Sequence, residues 1–331
     1  MYTLAIIGAG SIGALKDDRY DSKDSKNILT QAHAAYKHSS INLMAVCDLD
    51  QDRAYDAAEK WDTIAYTNYI KMIEETKPDI ISLCVPTAVH DIIMKELLNF
   101  STWKPKLVIC EKPFCESAEK AQEIHDLYEI SDLYKKLNVP ILIDYIRRFD
   151  KHYHDIRDKI ADSIIYSVRV TYNRGLQHEG CHAVDLLNFL LGDCRKIKNL
   201  TNREDYIIDR NSEDPTIMVR FWYKRCKNVI FFPVDGRVAS IFEIDIVTSK
   251  GRFQLIDHGK TLAFWPVQKE TTYGNYNSFS PMPVCQNTDL TTALYGLMNN
   301  AVEFLDGREP LYCTDADALR VHEIIKQIGR A

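Results

Sequence analysis

The 331-residue chain is 46% hydrophobic and 27% charged with a formal net charge of −6, the balance of a globular protein rather than a disordered or fibrous one. Its length exceeds what a single core usually fills, so two domains are expected. Nothing basic offers a footprint for nucleic acid, and no apolar run approaches the ~20 residues of a membrane span; a chain that opens directly on a strand leaves no room for a signal peptide, so a cytoplasmic protein with a small-molecule ligand is expected.

The first element is the apolar run Leu4-Ala5-Ile6-Ile7, which breaks into Gly8-Ala9-Gly10-Ser11-Ile12-Gly13. A strand too short for a helix, followed at once by G-x-G-x-x-G, predicts a tight turn into a helix N-terminus and so a dinucleotide site. Gly8 permits the turn, Gly10 lets the backbone approach a pyrophosphate, and Gly13 allows close helix packing, with Ser11 and Ile12 completing the phosphate loop. Residues 15–31 then interrupt the expected helix with a polar stretch dense in both charges. This insertion is either a solvated loop or one that folds over cofactor or substrate. The second strand, Leu43 to Cys47, ends in Asp48, placed to accept both ribose hydroxyls and to repel a 2′-phosphate, which favours NAD over NADP.

A helix to Trp61, a short strand Ile64–Tyr66 and a helix from Tyr69 to Thr76 follow. The strand Asp79 to Val85 runs into Pro86-Thr87 and a helix carrying His90, and the strand Leu107 to Cys110 runs into Glu111-Lys112-Pro113. After a long helical stretch, Ile141 to Tyr145 leads to Arg147-Arg148-Phe149. Strands alternating with helices predict an α/β fold, a doubly wound parallel sheet over residues 1–148 whose ligand lies beyond the strand C-termini. Pro86, Thr87, Lys112 and the Tyr145–Arg148 region are therefore expected to converge on one crevice, with His90 and Glu111 also expected at the cofactor.

Beyond Phe149 the pattern changes. A helix from His152 and a strand from Ile164 to Tyr172 precede a helix opened by Gly180-Cys181-His182. Long alternating strands follow at Thr216–Tyr223, Asn228–Phe232, Ile241–Thr248 and Gly251–Ile256, with Leu262 to Trp265 as a possible extra, before two closing helices. Residues 149–331 thus read as a second α/β domain with a large, mainly antiparallel open sheet for substrate and oligomerisation, its last helices packing back toward the first domain. A sheet face not covered by its own helices predicts a homodimer or homotetramer.

Lys112 and His182 carry the expected chemistry. Oxidising an alcohol takes a proton from oxygen while hydride leaves carbon, so a base and a cationic partner on one oxygen suffice. The nine cysteines are scattered without C-x-x-C pairs and read as reduced thiols. The spacing of His178 and His182 suits a metal on one helix face, but Gly180 delays the helix start, and no metal is expected.

In order, the Gly8–Gly13 turn, His33, Asp48, Pro86-Thr87 with His90, Glu111-Lys112-Pro113, Arg147-Arg148-Phe149, Gly180-Cys181-His182-Ala183-Val184-Asp185 and the closing helices resemble the glucose–fructose oxidoreductase, inositol dehydrogenase and rhizopine catabolism family, Gfo/Idh/MocA. The resemblance implies an N-terminal Rossmann domain, a nicotinamide cofactor, and oxidation or reduction at a carbon of a sugar, cyclitol or nucleotide-linked sugar. It matches Lys112 to the lysine of the Glu-Lys-Pro motif and His182 to the catalytic histidine, with Arg147, Arg148, Tyr172 and Asp185 as substrate contacts. Many members carry an aspartate four residues before that histidine, where this chain has His178. His178 then joins the proton relay or binds a substrate hydroxyl, fills space in an active enzyme, or marks a site that has lost catalysis. Two other classes therefore stay open, a dinucleotide-bound sensor or regulator and an NAD-assisted glycoside-cleaving enzyme.

Overall fold

The computed structural model describes residues 1–331 apart from 101–102, 130, 133–134, 137–138, 209–212, 238 and 331. The chain divides into two compact units, Met1–Phe149 with Thr291–His322, and Asp150–Leu290 with Glu323–Ala331.

The first unit begins with β1 (Tyr2–Ile7), α1 (Gln31–Lys37), β2 (Ile41–Cys47), α2 (Gln51–Trp61), β3 (Ile64–Tyr66), α3 (Tyr69–Thr76), β4 (Ile80–Leu83), α4 (His90–Leu97), β5 (Leu107–Glu111) and α5 (Ala118–Glu129). Where the sequence suggests one long helical stretch before Ile141, α5 stops at Glu129 and the short pair β6 (Ser131–Asp132) and β7 (Lys135–Lys136) precedes β8 (Ile141–Asp144). The six long-range strands form one parallel sheet in the order β3-β2-β1-β4-β5-β8. Its middle strands β4 and β5 are buried at every residue, which explains their unbroken Ile, Val and Leu runs: a parallel strand covered on both faces has no polar side to alternate with.

The second unit holds α6 (Lys151–Ile160), β9 (Ile165–Tyr172), α7 (Cys181–Leu191), β10 (Cys194–Asn199), β11 (Val219–Tyr223), β12 (Val229–Pro233), β13 (Phe242–Thr248), β14 (Gly251–Ile256), β15 (Thr261–Lys269), β16 (Asn277–Phe279) and β17 (Val284–Asn287). The sheet order is β10-β11-β12-β9-β13-β14-β15-β16, with β17 also on β15. Only the β12/β9 pairing among these is parallel. One face is packed: Val168, Val170 and Tyr172 on β9 line up with Phe221, Phe231, Ile244 and Phe253, all buried. Opposite them, Arg169 lies over the Phe232 ring and Arg220 over Trp222. The strand suggested near Leu262–Trp265 is the nine-residue β15, while β10, β16 and β17 are strands that the sequence pattern does not announce. Two helices close the chain, α8 (Ala293–Leu305) and α9 (Asp315–Arg330); α8 and residues up to His322 group with the first unit.

Candidate functional site

The glycine turn follows β1 as its spacing predicts. Gly8 has φ +99° and a Cβ there would lie 2.6 Å from the Cys84 carbonyl, so the first glycine answers both to backbone conformation and to the close passage of the end of β4. A Cβ at Gly13 would lie 1.9 Å from the Gly8 oxygen, whereas one at Gly10 meets nothing within 4 Å. The first and third glycines therefore make the turn, and the second leaves an open approach to it.

The insertion leaves the glycine turn and returns to it at α1. Ala14 and Leu15 N–H donate to the Gly10 carbonyl, and the carbonyls of Ile12 and Gly13 accept from Gln31 at 2.9 Å and Ala32 at 2.8 Å. The polar segment is fastened from within by Asp21, which is fully buried. Its carboxylate accepts from Leu29 N–H (2.8 Å) and the Thr30 hydroxyl (2.7 Å) and pairs with His33 Nδ1 (2.8 Å). Burial raises the cost of that charge, but these partners outweigh it and hold Asp21 below the usual carboxylate range. His33 stacks on Trp61, and Lys60 ties Asp18 and the Lys16 carbonyl to α2.

Around the turn, a cavity of about 700 Å³ is lined by Gly8, Gly10, Asp48, Arg53, Pro86 and Ile93 among other, mainly apolar, residues; none of residues 15–31 lines it. Asp48 accepts from Ala9 N–H at 2.9 Å and Asp50 N–H at 3.0 Å, with Arg53 at 3.4 Å. An ionised carboxylate has about four acceptor positions, so the two backbone donors leave two, which Arg53 and a ribose hydroxyl can share. An open glycine, a concave apolar wall and an acceptor at one end fit a dinucleotide: pyrophosphate at Gly10, ribose at Asp48.

Several residues expected at a ligand have other work. His90 is fully buried, its Nε2 on the Val85 carbonyl (2.9 Å) and its Nδ1 on the Phe114 carbonyl (3.2 Å). It tacks together the loops that follow β4 and β5. Glu111 also turns inward, accepting from Gln31 Nε2 at 3.0 Å. Thr87 opens a single 3₁₀ turn ahead of α4. Lys112 follows Glu111 at the end of β5, and its peptide bond to Pro113 is cis.

The residues expected at the substrate are buried too. Tyr172 is fully buried on the packed face of the second sheet, and its hydroxyl donates to the Ile217 carbonyl at 2.8 Å and accepts from Ile217 N–H at 3.1 Å. Alternation along β9, which puts Tyr172 in phase with Val168 and Val170, is the sequence signal for this. Arg148 is buried with Nη1 on the Tyr312 carbonyl (3.0 Å) and Asp317 (3.3 Å), so it fastens the segment after α8. Arg147 and Asp185 are buried as well.

His182 lies in the first turn of α7, half-buried, three residues before Asp185. The turn before α7, Leu176–Gly180, has π-type spacing. Its leading N–H groups are capped by a residue that motif reading misses: Asp214 accepts from Gln177 N–H at 2.7 Å and His178 N–H at 2.9 Å. A carboxylate thus stands at the start of this helix although position 178 has lost one, and only the tertiary fold brings it there.

A parallel sheet in this order, with a glycine cradle and an acidic acceptor at the end of its second strand, defines a dinucleotide-binding protein of the Rossmann type. Residues 2–134 match the sequence model of the Gfo/Idh/MocA family, described as the oxidoreductase family, NAD-binding Rossmann fold. Over those residues the chain is similar to the NAD-binding Rossmann part of that oxidoreductase family. It is 26% identical over 180 residues to the D-glucoside 3-dehydrogenase of Escherichia coli strain K12, covering 54% of this chain and 44% of that one. It is also 26% identical over 136 residues to the inositol 2-dehydrogenase of Rubrobacter xylanophilus, covering 40% and 37%. The chain therefore spans less than half the length of these curated relatives. A solved oxidoreductase from Agrobacterium radiobacter, in complex with NAD+, L-tartaric acid and magnesium, superposes with a TM-score of 0.71 over 99% of this chain and 95% of that one at 13% identity; that likeness shows the shared fold. Among the described residues no helix is long and apolar enough to cross a membrane.

Proposed function

We propose that the protein is an NAD-dependent oxidoreductase that interconverts a secondary hydroxyl and the matching ketone on a sugar, cyclitol or nucleotide-linked sugar. The observation that carries this reading is the open Gly10 approach beside Asp48 in a cavity of about 700 Å³, in a segment that matches the NAD-binding oxidoreductase family model. The names of the two curated relatives, a glucoside and an inositol dehydrogenase, support the substrate class.

The bound nicotinamide supplies the hydride acceptor or donor. The chain's own residues do the rest. Gly8, Gly10 and Gly13 shape the phosphate turn. Asp48 takes the adenosine ribose hydroxyls and disfavours a 2′-phosphate. Lys112 donates a hydrogen bond to the reacting oxygen, and an imidazole nitrogen of His182 holds the hydroxyl proton as hydride leaves carbon. His178 serves the same oxygen or a neighbouring hydroxyl, in place of the carboxylate usual at that position. The polar and cation-stacked face of the second sheet, with Arg169 on Phe232 and Arg220 on Trp222, is proposed as the subunit contact of a homodimer or homotetramer, which light scattering of the eluted protein tests.

Turnover of purified protein against a panel of cyclitols, free sugars and nucleotide sugars, read by reduced-nicotinamide absorbance, tests the reading. Lys112→Ala and His182→Ala should each lower kcat by roughly 10²–10⁴-fold, the range of a lost acid–base group. A variant at either position that keeps full turnover contradicts the mechanism. Tight NAD binding with no turnover on any substrate replaces the reading with that of a sensor or a transient-redox enzyme.

A further inference from the structure

The ends of β5 and β8 bring two carboxyl side chains together in the interior. Glu111 and Asp144 are register partners in the parallel pairing, and both are buried, Asp144 at 3% exposure. Gln31, the first residue of α1, joins them: its Nε2 donates to Glu111 Oε1 at 3.0 Å and reaches Asp144 Oδ2 at 3.5 Å. The Ser82 hydroxyl on β4 donates to Gln31 Oε1, which fixes the amide with its N–H groups toward the acids. Asp144 Oδ1 is buried and makes no hydrogen bond.

Two ionised carboxylates in this setting, with one amide NH2 between them, repel each other at low effective dielectric. A single proton removes the repulsion and supplies the donor for a carboxyl–carboxylate hydrogen bond, as in other carboxyl pairs that titrate as a unit. Burial and the adjacent Glu111 push Asp144 well above the usual carboxylate range; Lys112 and Gln31 pull the other way without cancelling them. The other titratable groups facing the pair are the thiols of Cys84 and Cys110, each held neutral by burial and by these acids. Lys112, next to Glu111 in the chain, is a cation whose charge bears on Asp144.

We propose that Glu111 and Asp144 share one proton at neutral pH, and that Asp144 is a positioning residue whose protonation sets how much negative charge faces the Lys112 ammonium. With the proton in place, one negative charge stands against one positive. Loss of the proton doubles the negative charge and holds Lys112 more strongly in its charged form. The working state of the lysine is then set by a group that touches neither substrate nor cofactor. This deepens the reading of Lys112 given above and depends on it for its functional meaning, though not for its chemistry.

Infrared difference spectroscopy of the whole protein across neutral pH tests the shared proton. The wild type should give a protonated-carboxyl C=O band that Asp144→Asn and Glu111→Gln each abolish; Asn and Gln keep the shape and hydrogen bonding, and either variant suffices if the other fails to fold. In parallel, carbon-13 NMR of reductively methylated protein, with the Lys112 signal assigned by its absence in Lys112→Arg, should show a second inflection in the Lys112 titration that vanishes in Asp144→Asn. Absence of the band in the wild type, its persistence in both variants, or an unchanged Lys112 titration in Asp144→Asn overturns the proposal. Full turnover by Lys112→Ala with the band intact would defeat the catalytic reading alone.

Discussion

A methyl group added at Gly10 meets no atom within 4 Å, whereas one added at Gly13 falls 1.9 Å from the Gly8 carbonyl oxygen and 3.1 Å from Cys84 Cβ. Gly10 is absent from the positive-φ positions, so alanine fits its backbone. Gly10→Ala should therefore leave stability unchanged or raise it by about 0.4–1 kcal/mol through the unfolded chain. The same methyl stands where a pyrophosphate must approach the backbone, so NAD affinity should fall at least ~10-fold, about 1.4 kcal/mol. Gly13→Ala reverses the pattern. Opening its contact to van der Waals distance demands a shift of more than about 1 Å in a packed turn, at an overpacking cost of about 1–3 kcal/mol. That corresponds to a Tm lower by roughly 2–12 °C. Calorimetric titration with NAD and thermal melts of both variants read the two quantities separately. A Gly10→Ala protein that binds NAD like the wild type, or one that melts several degrees lower, refutes the assignment of the middle glycine to the ligand and the outer two to the turn.

Other consequences follow from residues already placed. The wild type should prefer NAD to NADP, and Asp48→Asn, which keeps shape but removes charge beside Arg53, should narrow that preference at least ~10-fold in paired binding titrations; an unchanged ratio would remove Asp48 from cofactor choice. Asp21→Ala leaves Leu29 N–H, the Thr30 hydroxyl and His33 Nδ1 without their buried acceptor, and denaturant unfolding should register a loss of about 3 kcal/mol or more. Because the folded protein depresses the Asp21 carboxyl, its contribution is complete above the unfolded carboxylate pKa of about 3.9 and fades as pH falls through the lower folded value. Burial drops His322 to about 4, while its Nε2 accepts from Cys115 N–H at 3.3 Å. A histidine kept neutral in the fold costs stability as pH falls from about 6.5 toward 4, on the order of 2–3 kcal/mol; His322→Gln should flatten that part of the stability profile, and a variant as acid-sensitive as the wild type would show that another group is responsible.

Local chemistry made the first strand, its glycines and Asp48 legible in the sequence, because a tight turn and an acidic strand end are each written within a few residues. The same is true of the interruption at 15–31, yet not of its anchor: a buried Asp21 looks like any other loop acid until His33 and Thr30 close on it. The inward direction of Tyr172 is legible in its alternation with Val168 and Val170. The bonds of Arg148 and His90 are not legible there, since they run to backbone carbonyls at Tyr312, Val85 and Phe114 that no side-chain pattern reveals. Strand β10, Cys194–Asn199, escaped because its residues Arg195, Lys196 and Lys198 give it the polar, charged composition that protects a sheet edge from pairing further. Asp214 and the Asp144–Glu111 pair are products of topology. Parallel register, not sequence proximity, sets Asp144 beside Glu111. Seven of the nine cysteines are buried, although Cys285 is exposed.

The most direct test of the central claim is turnover of the wild-type protein with NAD over the sugar, cyclitol and nucleotide-sugar panel, run beside Lys112→Ala. The account predicts reduced nicotinamide from at least one secondary alcohol in the panel, lost by roughly 10²-fold or more in the variant. NAD bound and never reduced, or reduction that proceeds equally well without Lys112, would contradict it.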